Sequence, residues 1–185
     1  KTSLMNYSLG GAFNSRINLN LREDKGWTYG ARSGFSGNDR GSQFTASAGI
    51  KASATDSAVV EFIKEIKGFQ EDGITMDELN FMRNSIGQRD ARRYETPFQK
   101  AGFLGNIIRY DLDGSYVEKQ AEIIQNITRE EINALAKKYL NTENTYILVV
   151  GDGATNRDRL KALGYKVIDV TEKGDIIEPI QEGSE

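Results

Sequence analysis

The chain has 185 residues, with 24 Lys plus Arg against 27 Asp plus Glu, a formal charge of −3. Its 38% apolar and 28% charged content suits a folded domain with a substantial core, and the mild acidity lacks the basic surplus of a nucleic-acid binder. It contains no Cys and no His, which excludes disulfides, thiolate nucleophiles, imidazole bases and His- or Cys-ligated metals from this chain.

No run of about 18 apolar residues is present, so no membrane-spanning helix is expected. The chain opens Lys1-Thr2-Ser3 without an initiator Met and reads as a piece of something longer or a trimmed product. Bacterial periplasm and cytoplasm are both compatible with its Cys-free composition.

Residues from Met5 to Leu9 run into Gly10-Gly11, a helix stop. Asn14 or Ser15 can cap a second helix through about Asp24, with Ile17 and Leu21 four apart and Gly26 closing it. Trp27 to Ser36 alternates as a strand, placing Trp27, Tyr29, Ala31, Ser33 and Phe35 on one face. Turn residues Gly37 to Gly41 lead to a second strand, with Phe44, Ala46, Ala48 and Ile50 on one face. The pair predicts an antiparallel hairpin.

Val59, Phe62, Ile63, Ile66 and Phe69 form the apolar stripe of a helix from about Thr55 to Glu71. Four capping boxes follow: Thr75 with Glu78, Thr96 with Gln99, Ser115 with Glu118, and Thr128 with Glu131. Pro97 stands at a first helical position, where its missing N–H costs nothing. The β-prone run Thr145 to Val150 predicts a buried strand ended by Gly151-Asp152-Gly153. A short helix near Asn156 to Leu163, a strand from Lys166 to Val170 and a polar, fraying tail over 171–185 complete the pattern. The expected architecture is one α+β domain over 1–185, a mainly antiparallel sheet with helices layered on one face.

Four places could carry chemistry. Arg22 ends one helix off its Ile17/Leu21 stripe, and Tyr29 begins the next strand across the Gly26 turn. Their donors could converge on a peptide carbonyl or the oxyanion formed from it. The same spacing equally permits an Arg complementing a helix dipole and a Tyr in ordinary packing. Gly151-x-Gly153 faintly resembles a dinucleotide fingerprint, but Asn156 occupies the third small position and no second βαβ half follows. Asp111-x-Asp113-Gly114 has too few carboxylates for a calcium loop and reads as a turn. Arg89, Arg92 and Arg93 are interleaved with Asp90 and Glu95, as on a solvated helix face.

The stretch Leu9-Gly10-Gly11-Ala12-Phe13-Asn14-Ser15-Arg16-Ile17, continuing through Leu21-Arg22-Glu23 to Gly26-Trp27-Thr28-Tyr29, resembles the second, zinc-free domain of the pitrilysin/insulinase-type zinc metallopeptidases. The pattern there is roughly L-G-G-x-F-x-S-R-L-x-x-x-L-R-E-x-x-G-L-x-Y. Gly73-Ile74-Thr75-x-x-Glu78-Leu79, the stretch from Ile127 to Leu140, and Val149-Val150-Gly151-Asp152 are similar to looser motifs of the same domain.

The resemblance implies a half-clamshell α+β domain, here expected to lack its usual opening strand segment because only eight residues precede Leu9. It also implies that this chain binds no zinc. A homologous zinc-bearing domain or subunit would be its partner and a peptide its substrate. Arg22 and Tyr29, seven apart as in the family, would be the substrate-binding pair, with no catalytic residue active in the isolated chain. A catalytically silent scaffold subunit of the same family is the alternative, and a nucleotide-binding module using Gly151 and Gly153 a third reading.

Overall fold

In the computed structural model residues 1–38, 41–90 and 95–177 are described. Helix α1 (Thr2–Asn6) widens into a π-helical segment, Tyr7–Gly11, and stops at the glycine pair. Helix α2 (Arg16–Asn18) begins at Ser15 in extended conformation and also widens, over Leu19–Asp24. Strands β1 (Thr28–Asn38) and β2 (Gly41–Ile50) form an antiparallel hairpin in which Ala31 faces Ala48, Ser33 faces Ala46 and Phe35 faces Phe44. Helices α3 (Thr55–Asp72), α4 (Met76–Asp90), α5 (Pro97–Arg109), α6 (Tyr116–Asn126), α7 (Arg129–Tyr139) and α8 (Gly153–Ala162) follow.

The fold is α+β, with the hairpin as its sheet and helices packed against one face of it. Ala31 and Ser33 are buried on that face, and Phe44, Ala46, Ala48 and Ile50 are half-buried beside them. The Phe35 and Phe44 rings pack 5.1 Å apart across the strands, a cross-strand aromatic pair. Met5, Leu9, Ile17 and Leu21 from the two N-terminal helices meet Ile66 and Phe69 of α3, Leu79, Met82 and Ile86 of α4, and Ile132 and Ala136 of α7. The stripe expected on α3 faces inward, with Val59, Ile66 and Phe69 buried and Phe62 and Ile63 half-buried.

Three of the four capping boxes form. Thr75, Thr96 and Thr128 each accept from the third residue's amide while Glu78, Gln99 and Glu131 accept from the cap amide. The fourth does not: the Ser115 amide and hydroxyl both donate to Asp113 Oδ1, the amide at 2.8 Å. A carboxylate two residues back is the better acceptor, and it diverts the hydroxyl from the helix. Asp113 is held down to about 2, first by the Lys119 ammonium and then by Ser115, which fits the turn expected at Asp111-x-Asp113.

The C-terminal third departs from expectation. Thr145 to Val150 is not a strand: Tyr146 is 100% and Val150 90% exposed. β-propensity describes fit to a half-buried pleated surface, and among the described residues no strand lies alongside to provide one. Lys166 to Val170 contributes a single bridge, Val170 with Ile176, so residues 171–177 fold back as a turn rather than fray. Residues 178–185, the turn residues Asp39 and Arg40, the Arg89 side chain, Arg92 and Arg93 lie outside the described residues. The last helix starts earlier than expected, at Gly153, with Asp152 as its cap.

One ion pair ties the N-terminal motif to the helical layer. Arg16 donates from Nε and Nη2 to the two Glu78 oxygens at 2.6 and 2.7 Å, and from Nη2 to the Gly73 carbonyl at 2.8 Å. Its guanidinium also lies 4.8 Å from the Phe69 ring centroid. Partial burial by itself would raise the Glu78 carboxyl, but the Arg16 hydrogen bonds and the Thr75 amide outweigh it and hold the group below its ordinary 4.5. A depressed carboxyl contributes stability that is complete above the unfolded value and disappears as pH falls through the folded one. Urea midpoints should therefore fall as pH drops below about 4.5, and Glu78→Gln should flatten that part of the profile. An unchanged slope in Glu78→Gln would refute this assignment.

Candidate functional site

The helical segment carrying Arg22 is joined to β1 by a tight turn through Gly26. The Gly26 amide donates to the Arg22 carbonyl at 3.2 Å, and the Trp27 amide to the Leu21 carbonyl at 3.0 Å. Gly26 has φ +60°, a left-handed conformation that favours glycine. Two buried asparagines then clamp β1 against the helices. Asn6 Nδ2 donates to the Ser33 carbonyl at 2.8 Å and its Oδ1 accepts from the Ser33 hydroxyl at 2.6 Å. Asn18 Oδ1 accepts from the Ala31 amide at 2.8 Å, and its Nδ2 donates to the Phe13 carbonyl at 2.7 Å. Gly10 fits directly against Ser33: a Cβ there would stand 2.2 Å from the Ser33 hydroxyl oxygen.

The register slips between Thr28 and Ala31, where three steps on β1 match two on β2. This β-bulge reverses the side-chain alternation. Tyr29 therefore leaves the face shared by Ala31 and Ser33, contrary to the simple alternation, and is fully exposed (101%). The Thr28 hydroxyl accepts from the Gly30 amide at 3.1 Å inside the bulge.

Tyr29 lines an open cleft of about 470 Å³ between the Gly10–Phe13 segment and the strand residues Gly30 to Arg32 and Ser47 to Gly49. Arg22 is half-buried. Its Nη1 donates to Glu23 Oε1 at 2.7 Å, and its guanidinium lies 4.4 Å from the centroid of Phe13, which does line the cleft. Arg22 is thus joined to the cleft through Phe13, while Tyr29 borders it directly. Sequence reasoning passed over Phe13, Asn6, Asn18 and Arg32. Phe13 belongs to the quoted motif, and Arg32 is the one charged residue in the sequence of β1.

Among the described residues no group of three acidic side chains could hold a metal ion, and the sequence supplies no His or Cys. The described residues therefore offer no donor set that fits zinc. No helix among them is long and apolar enough to cross a membrane. The Gly151-x-Gly153 turn is filled from within: Asp152 Oδ1 accepts from the Ala154 amide at 3.0 Å and Oδ2 from the Thr155 hydroxyl. The chain's own carboxylate occupies the helix N-terminus where a phosphate would sit, and the strand expected before it is absent.

The family model described as the peptidase M16 inactive domain matches residues 1–86, a span that holds both N-terminal helices, the hairpin and the cleft. Residues 1–86 are thus similar to the peptidase M16 inactive domain. The M16 inactive domain from Pseudomonas fluorescens has the same fold, with TM-score 0.68 and 27% identity over 75% of this chain and 33% of that one. So does a candidate zinc protease from Bordetella pertussis Tohama I, at TM-score 0.59 and 17% identity over 77% of this chain and 78% of that one. The periplasmic protease PqqL from Escherichia coli aligns with TM-score 0.60 and 20% identity, over 75% of this chain and 15% of its own length. The chain therefore spans a third or less of two of these three proteins. No curated protein matches it at a significant level.

Proposed function

We propose that this M16 inactive domain is the peptide-enclosing half of a zinc metallopeptidase, and that it hydrogen-bonds the scissile carbonyl with Arg22 and Tyr29 for a zinc-bearing partner domain. The metal chemistry belongs to the partner. This chain's residues bind the peptide, orient it and donate to its carbonyl oxygen.

The observation that carries this reading is the position of Tyr29, turned by the β-bulge out of the packed face and onto the rim of the cleft, within the residues matched to the family. A fully exposed phenol with no hydrogen bond to any described residue has its donor available to a bound molecule. Arg22 supports the same reading: one of its five N–H donors is engaged by Glu23, and the stacking on Phe13 keeps the planar group beside the cleft wall. The test is peptide cleavage by the complex of this chain with its zinc-bearing partner, comparing Arg22→Ala and Tyr29→Phe with the parent.

A further inference from the structure

The outer face of the hairpin carries a feature that the proposed carbonyl donors do not use. The register places Arg32 opposite Ser47 and Gly34 opposite Thr45 on the side away from the helices. Around Arg32 the residues of that face are Gly30, Gly34, Thr45, Ser47 and Gly49, and none carries a charge. A Cβ added at Gly34 or Gly49 would meet nothing within 4 Å, so the surface beside the guanidinium is open. Arg32 is exposed, lines the cleft that Tyr29 borders, and makes no ion pair or hydrogen bond with any described residue.

We propose that Arg32 is a specificity-determining residue of this cleft and receives an acidic side chain of a bound extended polypeptide. A planar guanidinium with all its donors free is matched by a carboxylate, which can accept two parallel hydrogen bonds from it. The side-chain-poor floor lets a peptide backbone lie close to the sheet, and with no carboxylate among the described residues of the face the cation has no competitor there. Arg32 follows Tyr29 by three residues, roughly 10 Å along a strand, so the acid falls two or three residues from the carbonyl that Tyr29 meets. The proposal rests on the reading that a peptide occupies this cleft, but not on the carbonyl role of Arg22 and Tyr29.

The experiment is fluorescence anisotropy of three labelled Ala/Ser nonapeptides, identical except for a central Glu, Gln or Lys, binding to the full chain and to its Arg32→Gln and Arg32→Glu variants. The Glu peptide should bind the parent about three- to tenfold more tightly than the Gln peptide, the range for a partly solvated charge pair. That preference should shrink as ionic strength rises from about 0.05 to 0.5 M. It should vanish in Arg32→Gln and turn toward the Lys peptide in Arg32→Glu. Equal binding of Glu and Gln peptides by the parent, no measurable binding of any of them, or a Glu preference that survives Arg32→Gln would each overturn the proposal. A retained Glu preference together with unaltered cleavage by Tyr29→Phe would instead leave Arg32 in place and reject the carbonyl-donor reading.

Discussion

On the proposed carbonyl-donor role, Tyr29→Phe is expected to lower kcat of the peptidase assembled with a zinc-bearing partner by roughly ten- to a thousandfold, the cost of removing one preorganised oxyanion donor, while leaving the urea midpoint of this chain unchanged. The separation of the two readouts follows from exposure. The side chain is fully exposed and its ring packs on none of the described aromatic residues, so deleting the hydroxyl removes nothing from the fold. If the hydrogen bond forms mainly as charge develops on the oxygen, kcat falls and KM moves little; a rise in KM with constant kcat would mean uniform binding instead. Arg22→Ala should show a comparable loss of kcat with a second component, because the guanidinium also covers Phe13 and pairs with Glu23. Arg22→Lys separates the two: it keeps a positive charge but not the planar fork, so partial recovery assigns the remainder to geometry. The double variant should lose less than the product of the single losses if both donors serve one oxygen. Turnover near the parent's in both single variants would reject the role and favour the scaffold-subunit alternative.

Those parts of the fold were legible in the sequence whose cause is local. A capping box needs two side chains three residues apart, and the α3 stripe needs only its own periodicity, so both survive being read in isolation. Ser115 failed because a competing acceptor, Asp113, lay just outside the motif window. Thr145 to Val150 failed for a different reason: a strand is a relation between two segments, and propensity in one says nothing about whether the other is present. At the site, the residue types and the seven-residue spacing were readable, but the direction of Tyr29 was not. It depends on a bulge fixed by Thr28, by the register with β2 and by the Asn18 bond to the Ala31 amide 13 residues away. Asn6 was opaque in the same way, since its partner Ser33 lies 27 residues on. The motif that carries the family resemblance thus names the candidate pair, whereas the buried amides that clamp β1 lie 13 and 27 residues from their partners.

Gly10→Ala is expected to destabilise this chain by about 3 kcal/mol or more, the sum of overpacking a tight contact and disturbing a buried polar pair. The new methyl would stand 2.2 Å from the Ser33 hydroxyl oxygen, 2.7 Å from its amide nitrogen and 2.9 Å from its Cβ. A flexible side-chain tip could swing away, but a strand amide cannot move without shifting β1, and β1 is held by the Asn6 and Asn18 bonds. Separating the helix from the strand leaves Asn6 and the Ser33 carbonyl buried without each other, and each such loss costs roughly 1–3 kcal/mol. Against a total of about 5–15 kcal/mol for an ordinary domain, that is a large share. Equilibrium urea unfolding measures it, with Gly34→Ala as the control, since a Cβ there meets nothing within 4 Å. Ser33→Gly in the Gly10→Ala background should recover part of the loss, because it removes the oxygen and Cβ contacts and leaves the amide contact. The recovery must be non-additive if the two sites touch. Equal stabilities of Gly10→Ala and Gly34→Ala would show that the helix and strand do not approach as closely as the Asn6 clamp requires. The same close approach brings Gly10 and Gly11 to the wall of the cleft that Tyr29 borders, so a displaced β1 would move the phenol together with the core. If Tyr29 donates to the carbonyl as proposed, Gly10→Ala should also lower turnover by the folded fraction, beyond what the lost population of folded protein accounts for.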